Sequence, residues 1–359
     1  MRTYDVDPGI AAALRGFTLP ERLGFGLVNA PVMYSATWRD GVWSRGQLLP
    51  YGPIELWPGS RALQYAELVF EGLKAYRVGR ERPNLFRPGE NCRRLARSAV
   101  RMSMPVVPES LFFEGIEAVA GTCSDFIPSQ SGRSLYLRTF LFGTENSYLL
   151  KNSSTFRFMV IANPVESYAS GALKVTIERA DVRAAPGGIG EAKAAANYAA
   201  SLRASTAAVN RGCTVALWLD AAHHRDVQEL SGMNVFVVID GELHTPELDG
   251  TILPGVTRDS LILLARSLGY AVHERRIAID EIIDGIRSGA CTEVFACGTA
   301  AIVSPIESLW ESDGRHHSPP IVDGVAKRLR ESLLAIQERR APDPFGWTKE
   351  IASIEDPIP

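Results

Sequence analysis

The chain has 359 residues, 46% of them hydrophobic and 22% charged, with a formal net charge of −3. That composition suits a globular protein, and the near balance of charge excludes a strong built-in attraction to nucleic acid or an anionic membrane. No basic stretch followed by an apolar run opens the chain, and no apolar stretch approaches the roughly 20 residues needed to span a bilayer, so neither signal peptide nor transmembrane helix is expected.

The length suits two domains. Residues 1–50 are mixed and turn-rich, with little periodicity. The run from Ala62 to Arg77 leads into an extended segment interrupted at Gly72. Asn91 to Met104 places Leu95, Ala99 and Met102 on one face with arginines between them and stops at Pro105, the pattern of an amphipathic helix. Pro108 to Phe126 reads as a second helix. Ser134 to Phe142 and Thr155 to Ala162 read as strands, being rich in aromatic and β-branched residues. Asn163 to Leu173 contains Pro164, Gly171 and small polar residues, a linker composition. The expected organisation is therefore a smaller domain over 1–163, a linker over 164–173 and a larger domain over 174–359.

In the second half, Lys174–Glu178 reads as a strand, followed by the Pro- and Gly-rich loop APGGIGEAK. A helix is expected from about Ala195 to Asn210, with Gly212 as its stop. Val215–Leu219 and Asn234–Ile239 read as strands, and Asp240–Gly241 is a hairpin signal. GTILPGVTRDS opens a helix reaching about Ser267. Ala271–Ile277 and Glu293–Cys297 are further strands, and Asp323–Arg340 is an amphipathic helix. Strands and helices mix without steady alternation, which favours the α+β class.

Five cysteines form no C-x-x-C pair and read as reduced thiols of a cytoplasmic protein. The pairs His223–His224 and His316–His317 lie in polar, loop-like stretches without metal-ligand spacing, so no metal is expected. Only six lysines exist. Lys151, Lys327 and Lys349 sit among polar or basic neighbours, Lys174 begins a strand, and Lys74 falls in a half-apolar strand. Lys193 follows the glycine-rich loop and precedes three alanines. Burial among small apolar residues disfavours the ammonium and leaves the nucleophilic amine that imine formation needs. Read locally, an ordinary surface lysine remains the alternative.

The stretch GGIGEAKAAANYAASLRA, followed by GCTVALWLD, VQELSGMN, GTILPGVTRDS and EVFACGTAAIVSPI, resembles the branched-chain aminotransferases, members of the fold-type-IV pyridoxal 5'-phosphate enzymes. QYAELVFEGLKAYR, RRLARSAVRMSMP and LYLRTFLFGTE follow the same order in the first half. The resemblance covers about residues 50 to 345. It implies a two-domain, D-amino-acid-aminotransferase-like fold whose larger domain binds pyridoxal 5'-phosphate.

It also implies ping-pong transfer of an amino group from isoleucine, leucine, valine or a close analogue to 2-oxoglutarate, in a cytoplasmic homodimer. Lys193 corresponds to the Schiff-base lysine and Glu229 to the carboxylate that pairs with the pyridine nitrogen. Tyr198 corresponds to the tyrosine on the ring's phenolic oxygen, and Arg94, Val256, Thr257 and Thr299 to the phosphate donors. Tyr65, Phe70, Tyr136, Arg138, Thr299 and Ala300 match substrate positions. Arg138 suits bidentate recognition of a carboxylate. Phe70 to Tyr76 looks too apolar to stay exposed, which adds to the expectation of a dimer.

Departures from the family pattern are Ala195 and Ala196 where glycines are usual, Gln64 for a histidine and Thr139 for a proline. None removes a catalytic group, but all bear on the pocket, and the two alanine methyls are expected to act there. Alternatives are an aminotransferase for an unusual branched or β-methyl amino acid, or a D-amino-acid aminotransferase or aminodeoxychorismate-lyase relative. A fold-keeping, non-catalytic protein is the rival from another class.

Overall fold

The computed structural model describes residues 3–166, 171–321 and 324–351. It divides into two compact units. Unit 1 holds Met1–Tyr168, Ala192–Ala196 and Ala335–Pro359, and unit 2 holds Ala169–Glu191 and Asn197–Leu334. Of the expected linker, residues 167–170 lie outside the described residues. The division differs from a simple cut after residue 163 in two places, and each has a backbone cause. The Phe70 N–H donates to the Lys193 carbonyl and Val69 bridges Ala194, which ties Ala192–Ala196 to unit 1. Near the end of the chain, the strand Thr348–Glu350 pairs with Asn84–Phe86, and the Asn84 amide donates to the Gln337 carbonyl.

Unit 1 is built on β1 (Asp5–Val6), β2 (Val32–Arg39), β3 (Val42–Trp43), β4 (Gln47–Pro50), β5 (Leu68–Tyr76), β6 (Asn84–Phe86), β7 (Ser134–Gly143) and β8 (Thr155–Val165). Together with Thr348–Glu350 they form one sheet in the order β1-β4-β2-β8-β7-β5-β6, with that last strand at the β6 edge and β3 paired to β2. Residues 1–50, which read as irregular, supply four of these strands. The first five residues of β2 are all buried, so they lack the alternation that marks a strand with one wet face. The helices Pro88–Arg101 and Glu109–Thr122 accompany the sheet. At Gly115 a Cβ would come within 2.9 Å of both Tyr34 and Val160, so a missing side chain sets how closely the second helix approaches.

Unit 2 carries β9 (Leu173–Glu178), β10 (Val215–Leu219), β11 (Val227–Leu230), β12 (Asn234–Ile239), β13 (Glu242–Thr245), β14 (Val272–Glu274), β15 (Cys291–Gly298), β16 (Ile302–Trp310) and β17 (His316–His317). Their order is β11-β10-β9-β16-β15-β12-β13-β14, with β17 on β16. Parallel pairs (β9 with β10 and β16, β13 with β14) mix with antiparallel ones, so the α+β class holds. Asp240 and Gly241 turn the β12–β13 hairpin with φ of 50° and 80°, as the Asp-Gly pair suggests. The helix expected over 195–210 is two, Ala195–Ala200 and Leu202–Asn210, parted at Ser201. Among the described residues, no helix is long and apolar enough to cross a membrane, and no group of three or more His, Cys, Asp or Glu could hold a metal ion.

The helix Val325–Gln337 starts on a buried carboxylate. Glu293 of β15 accepts the N–H groups of Gly324, Val325 and Ala326 at 3.2, 2.7 and 3.0 Å, meeting donors that a helix start leaves unpaired. Replacing Glu293 with Gln removes the charge from these bonds and is expected to cost about 1.5–3 kcal/mol. Urea unfolding followed by circular dichroism would show it, and an unchanged midpoint would contradict it.

Candidate active site

In unit 1 the site is assembled on β5 and β7. Val69 and Phe70 run beside Lys193 and Ala194 as a further extended segment, and the Lys193 N–H donates to Ser98 Oγ at 3.0 Å. Backbone bonds on both sides therefore fix where the lysine leaves the chain. Its Nζ lies 4.9 Å from the centre of the Phe70 ring, and the Arg138 guanidinium carbon lies 4.4 Å from the same centre. Arg138 also lies 5.4 Å from the Tyr136 ring, and its buried Nε has no hydrogen-bond partner. Gly72 makes room for this cluster, since a Cβ there would stand 2.0 Å from the Tyr136 hydroxyl. One ring thus carries both an amine and a guanidinium, a pairing suited to an amino acid's two ends.

Arg94 is buried and forks onto Glu71, with Nε to Oε1 at 2.6 Å and Nη2 to Oε2 at 2.8 Å, while Asn91 donates to the same carboxylate at 2.8 Å. Burial alone would raise the Glu71 carboxyl. Arg94, with help from Lys193 and Asn91, outweighs that and holds it below the ordinary glutamate value of 4.5. Tyr65 stands apart at the surface, its hydroxyl donating to the Tyr148 carbonyl. Lys74, expected in a half-apolar strand, is buried in β5.

In unit 2, Glu229 lies buried on β11. Its Oε1 faces Arg183 at 3.1 Å, and its Oε2 accepts from the Asn234 amide at 3.0 Å and the Leu253 N–H at 3.3 Å. Val256 and Thr257 open the helix Val256–Ser267, whose first intrahelical bond is Asp259 N–H to Gly255. The amides before it are the donors a helix start turns toward an anion. Thr299 and Ala300 form the turn between β15 and β16, closed by the β-branched Ile302 at a φ of 63°. Such a conformation costs about 1–3 kcal/mol and gathers at functional sites. Tyr198 reaches this corner through Gly232, where a Cβ would be 4.0 Å from its ring, and Gly232 in turn abuts Gly298.

Each unit therefore brings its share of the expected residues together, with Tyr65 set apart. Reading the sequence missed Glu71, Arg183 and Asn234, the groups that hold the others in place. Glu71, inside the FEG run, and Asn234, closing VQELSGMN, stood in segments already singled out, whereas Arg183 did not.

A family model described as amino-transferase class IV matches residues 68–309. Branched-chain-amino-acid transaminase 1 of Bacillus subtilis (strain 168) is 41% identical over 343 residues, covering 92% of this chain and 95% of that protein. The branched-chain-amino-acid aminotransferase of Mycobacterium tuberculosis (strain ATCC 25618 / H37Rv) is 41% identical over 337 residues, covering 90% and 91%. Among solved structures, a branched-chain aminotransferase from Thermoproteus uzoniensis, determined with norvaline, aligns with a TM-score of 0.73 at 27% identity, covering 88% of this chain and 99% of that one. A second branched-chain amino acid aminotransferase, that of T.th., complexed with N-(5'-phosphopyridoxyl)-L-glutamate, aligns at 0.70 and 29%, covering 88% and 98%.

The Glu71–Arg94 pair yields a prediction with a pH signature. Glu71→Gln leaves a guanidinium buried without its counter-charge, a loss of about 3–5 kcal/mol. Because the folded carboxyl titrates below its unfolded value, the pair's contribution is present above about pH 4.5 and fades as pH falls through the folded value. The wild-type and variant urea midpoints should differ at pH 7 and converge in acid. A difference that persists unchanged into acid would contradict this.

Proposed function

The chain belongs to the class IV amino-transferase family, and on that premise we propose that it moves an amino group between a branched-chain L-amino acid and 2-oxoglutarate, with Lys193 as the Schiff-base lysine. It is an aminotransferase of the branched-chain type, and its cofactor is pyridoxal 5'-phosphate, the group borne in derivative form by its structural neighbours. When bound, the cofactor supplies an aldehyde carbon for the amine and a ring that takes up the electron pair left as the α-proton departs.

The residues fit that group. A buried carboxylate, Glu229, is available to the ring nitrogen. The amides of Val256 and Thr257 and the Thr299 turn offer the donors a phosphate needs. We assign Arg94 to the same phosphate and Tyr198 to the ring's phenolic oxygen. The Lys193 amine would hold and return the proton of the substrate α-carbon.

The observation that carries the reading is Arg138, whose buried Nε lacks a partner beside the ring that also carries Lys193. A substrate carboxylate on Arg138, with the Ala300 amide assisting, would set the α-carbon toward the lysine. Phe70 and Tyr136 give apolar walls for a branched side chain, while Tyr65, exposed and bonded to the Tyr148 carbonyl, is assigned to the substrate by resemblance alone. The glutamate moiety in the phosphopyridoxyl complex of the T.th. enzyme supports 2-oxoglutarate as the second substrate. Gln64 and Thr139 favour a second reading, an unusual branched or β-methyl amino acid. Five buried free cysteines accord with a reducing cytoplasm.

We also assign a homodimer, but on a different surface from the one the sequence suggests. Phe70–Tyr76 is enclosed within the unit 1 sheet, with neighbours on either side, and offers no face. Exposed apolar side chains gather instead at Trp57, Leu63, Tyr148, Leu149 and Leu150, the last 91% exposed. Its two segments are joined where Ser147 N–H donates to the Gly59 carbonyl and Arg61 to the Leu149 carbonyl. Exposed apolar side chains grouped in this way are what an interaction site uses.

Four measurements test this reading. A panel of amino donors with 2-oxoglutarate should show turnover with isoleucine, leucine or valine, and borohydride reduction of the holoenzyme should label Lys193; a label on another lysine would sink the assignment. Light scattering should give a dimer that Leu150→Asp weakens, whereas a fully active monomer at high dilution would rule it out. Ala195 and Ala196 begin a helix and neither has a positive φ, so the double change to glycine should lower stability by up to about 0.8–1 kcal/mol per residue. The isoleucine-to-leucine ratio of kcat/KM should stay within about twofold; a shift of about tenfold would show that the methyls shape the pocket.

A further inference from the structure

Arg183 lies in the loop after β9, and its side chain is only 7% exposed. Its Nη2 faces Glu229 Oε1 at 3.1 Å, donates to the Thr251 carbonyl and lies 3.4 Å from the Gly190 carbonyl. One guanidinium therefore gathers the glycine-rich loop, the 251–253 segment and the buried carboxylate. Gly190 permits the approach, because a Cβ there would stand 2.3 Å from the Thr251 oxygen and 2.6 Å from Ala184 Cβ.

A carboxylate enclosed to this degree is costly unless charge or donors meet it. Neutral donors, the Asn234 amide and the Leu253 N–H, serve Oε2, while the cation serves Oε1. Cys297 is the titratable neighbour here. Burial pushes its thiol up to about 12, with Arg258 opposing and Glu229 adding, so it stays neutral.

We propose that Arg183 is a positioning residue for Glu229, keeping the carboxylate ionised and aimed so that the proton shared with the ring nitrogen stays on the ring. The argument rests on the cofactor role proposed for Glu229. A paired carboxylate is a weaker proton acceptor than an unpaired buried one. Arg183 touches the carboxylate directly, whereas a ring held by Glu229 would lie one hydrogen bond further on, so the charge would act more strongly on Glu229 than on the ring.

The test uses holoenzyme loaded with ring-15N-labelled pyridoxal 5'-phosphate, read by 15N NMR. Wild type should show a protonated ring nitrogen whose shift is constant from roughly pH 6 to pH 9. Arg183→Gln keeps a donor for the Thr251 carbonyl but loses the charge. It should move the signal to the neutral-pyridine range and lower kcat by about tenfold or more with KM little changed. Arg183→Lys should restore the protonated signal. A protonated ring in R183Q, or a wild-type ring that titrates within that pH range, would overturn the role of Arg183, and the second measurement stands even if R183Q does not fold. A wild-type ring already neutral throughout would overturn the assignment of Glu229 itself and this inference with it.

Discussion

A carboxylate taken out of water must be met by a cation or by several donors, and the buried glutamates Glu71, Glu229, Glu293 and Glu338 each impose that condition on this fold. Glu71 is met by Arg94 and Asn91, Glu229 by Arg183, Asn234 and Leu253, and Glu293 by the start of a helix. Glu338 takes Gly132 N–H, Ser131 Oγ and Arg340. Each demand binds segments far apart in sequence, and misplacing any partner leaves a buried charge unanswered. Apolar packing alone tolerates rearrangement more readily.

The same condition serves chemistry. Glu71 fixes the guanidinium assigned to the phosphate, and Arg183 does the corresponding work for Glu229. Phe70, held by the strand pairing of β5, places the Lys193 amine and the Arg138 guanidinium about one ring. Reactive groups carried on buried strands and braced by buried pairs need little reorganisation when substrate arrives, which is where much catalytic advantage originates.

How much of this was legible depended on the kind of signal. Strands such as Ser134–Phe142 announced themselves through aromatic and β-branched residues. β2 did not, because continuous burial erases alternation, and β16 did not, because Pro305 within it argues against a strand although it pairs opposite Phe295. β11 is short and its VQEL run reads as polar. The break at Ser201 left no mark among good helix formers. For the site, Lys193 stood out locally, while Glu229, Tyr198 and Thr299 became visible only through resemblance. Arg183 was illegible by either route, since its partner is distant in sequence and no local pattern encodes the pairing.

Residues 335–351 belong to unit 1. Thr348–Glu350 completes the sheet edge beside β6, Trp347 packs against Phe86, and Gln337 accepts from the Tyr76 hydroxyl. A ribosome making this protein therefore releases the first unit's opening strands long before the strand that finishes them. Unit 2, which lies wholly between those pieces in the chain, can assemble while its predecessor still waits with an open edge. Unpaired edges of that kind are where nascent chains associate wrongly. Unit 1 is begun before unit 2 and finished after it, and protecting it during synthesis falls to whatever shields the emerging chain.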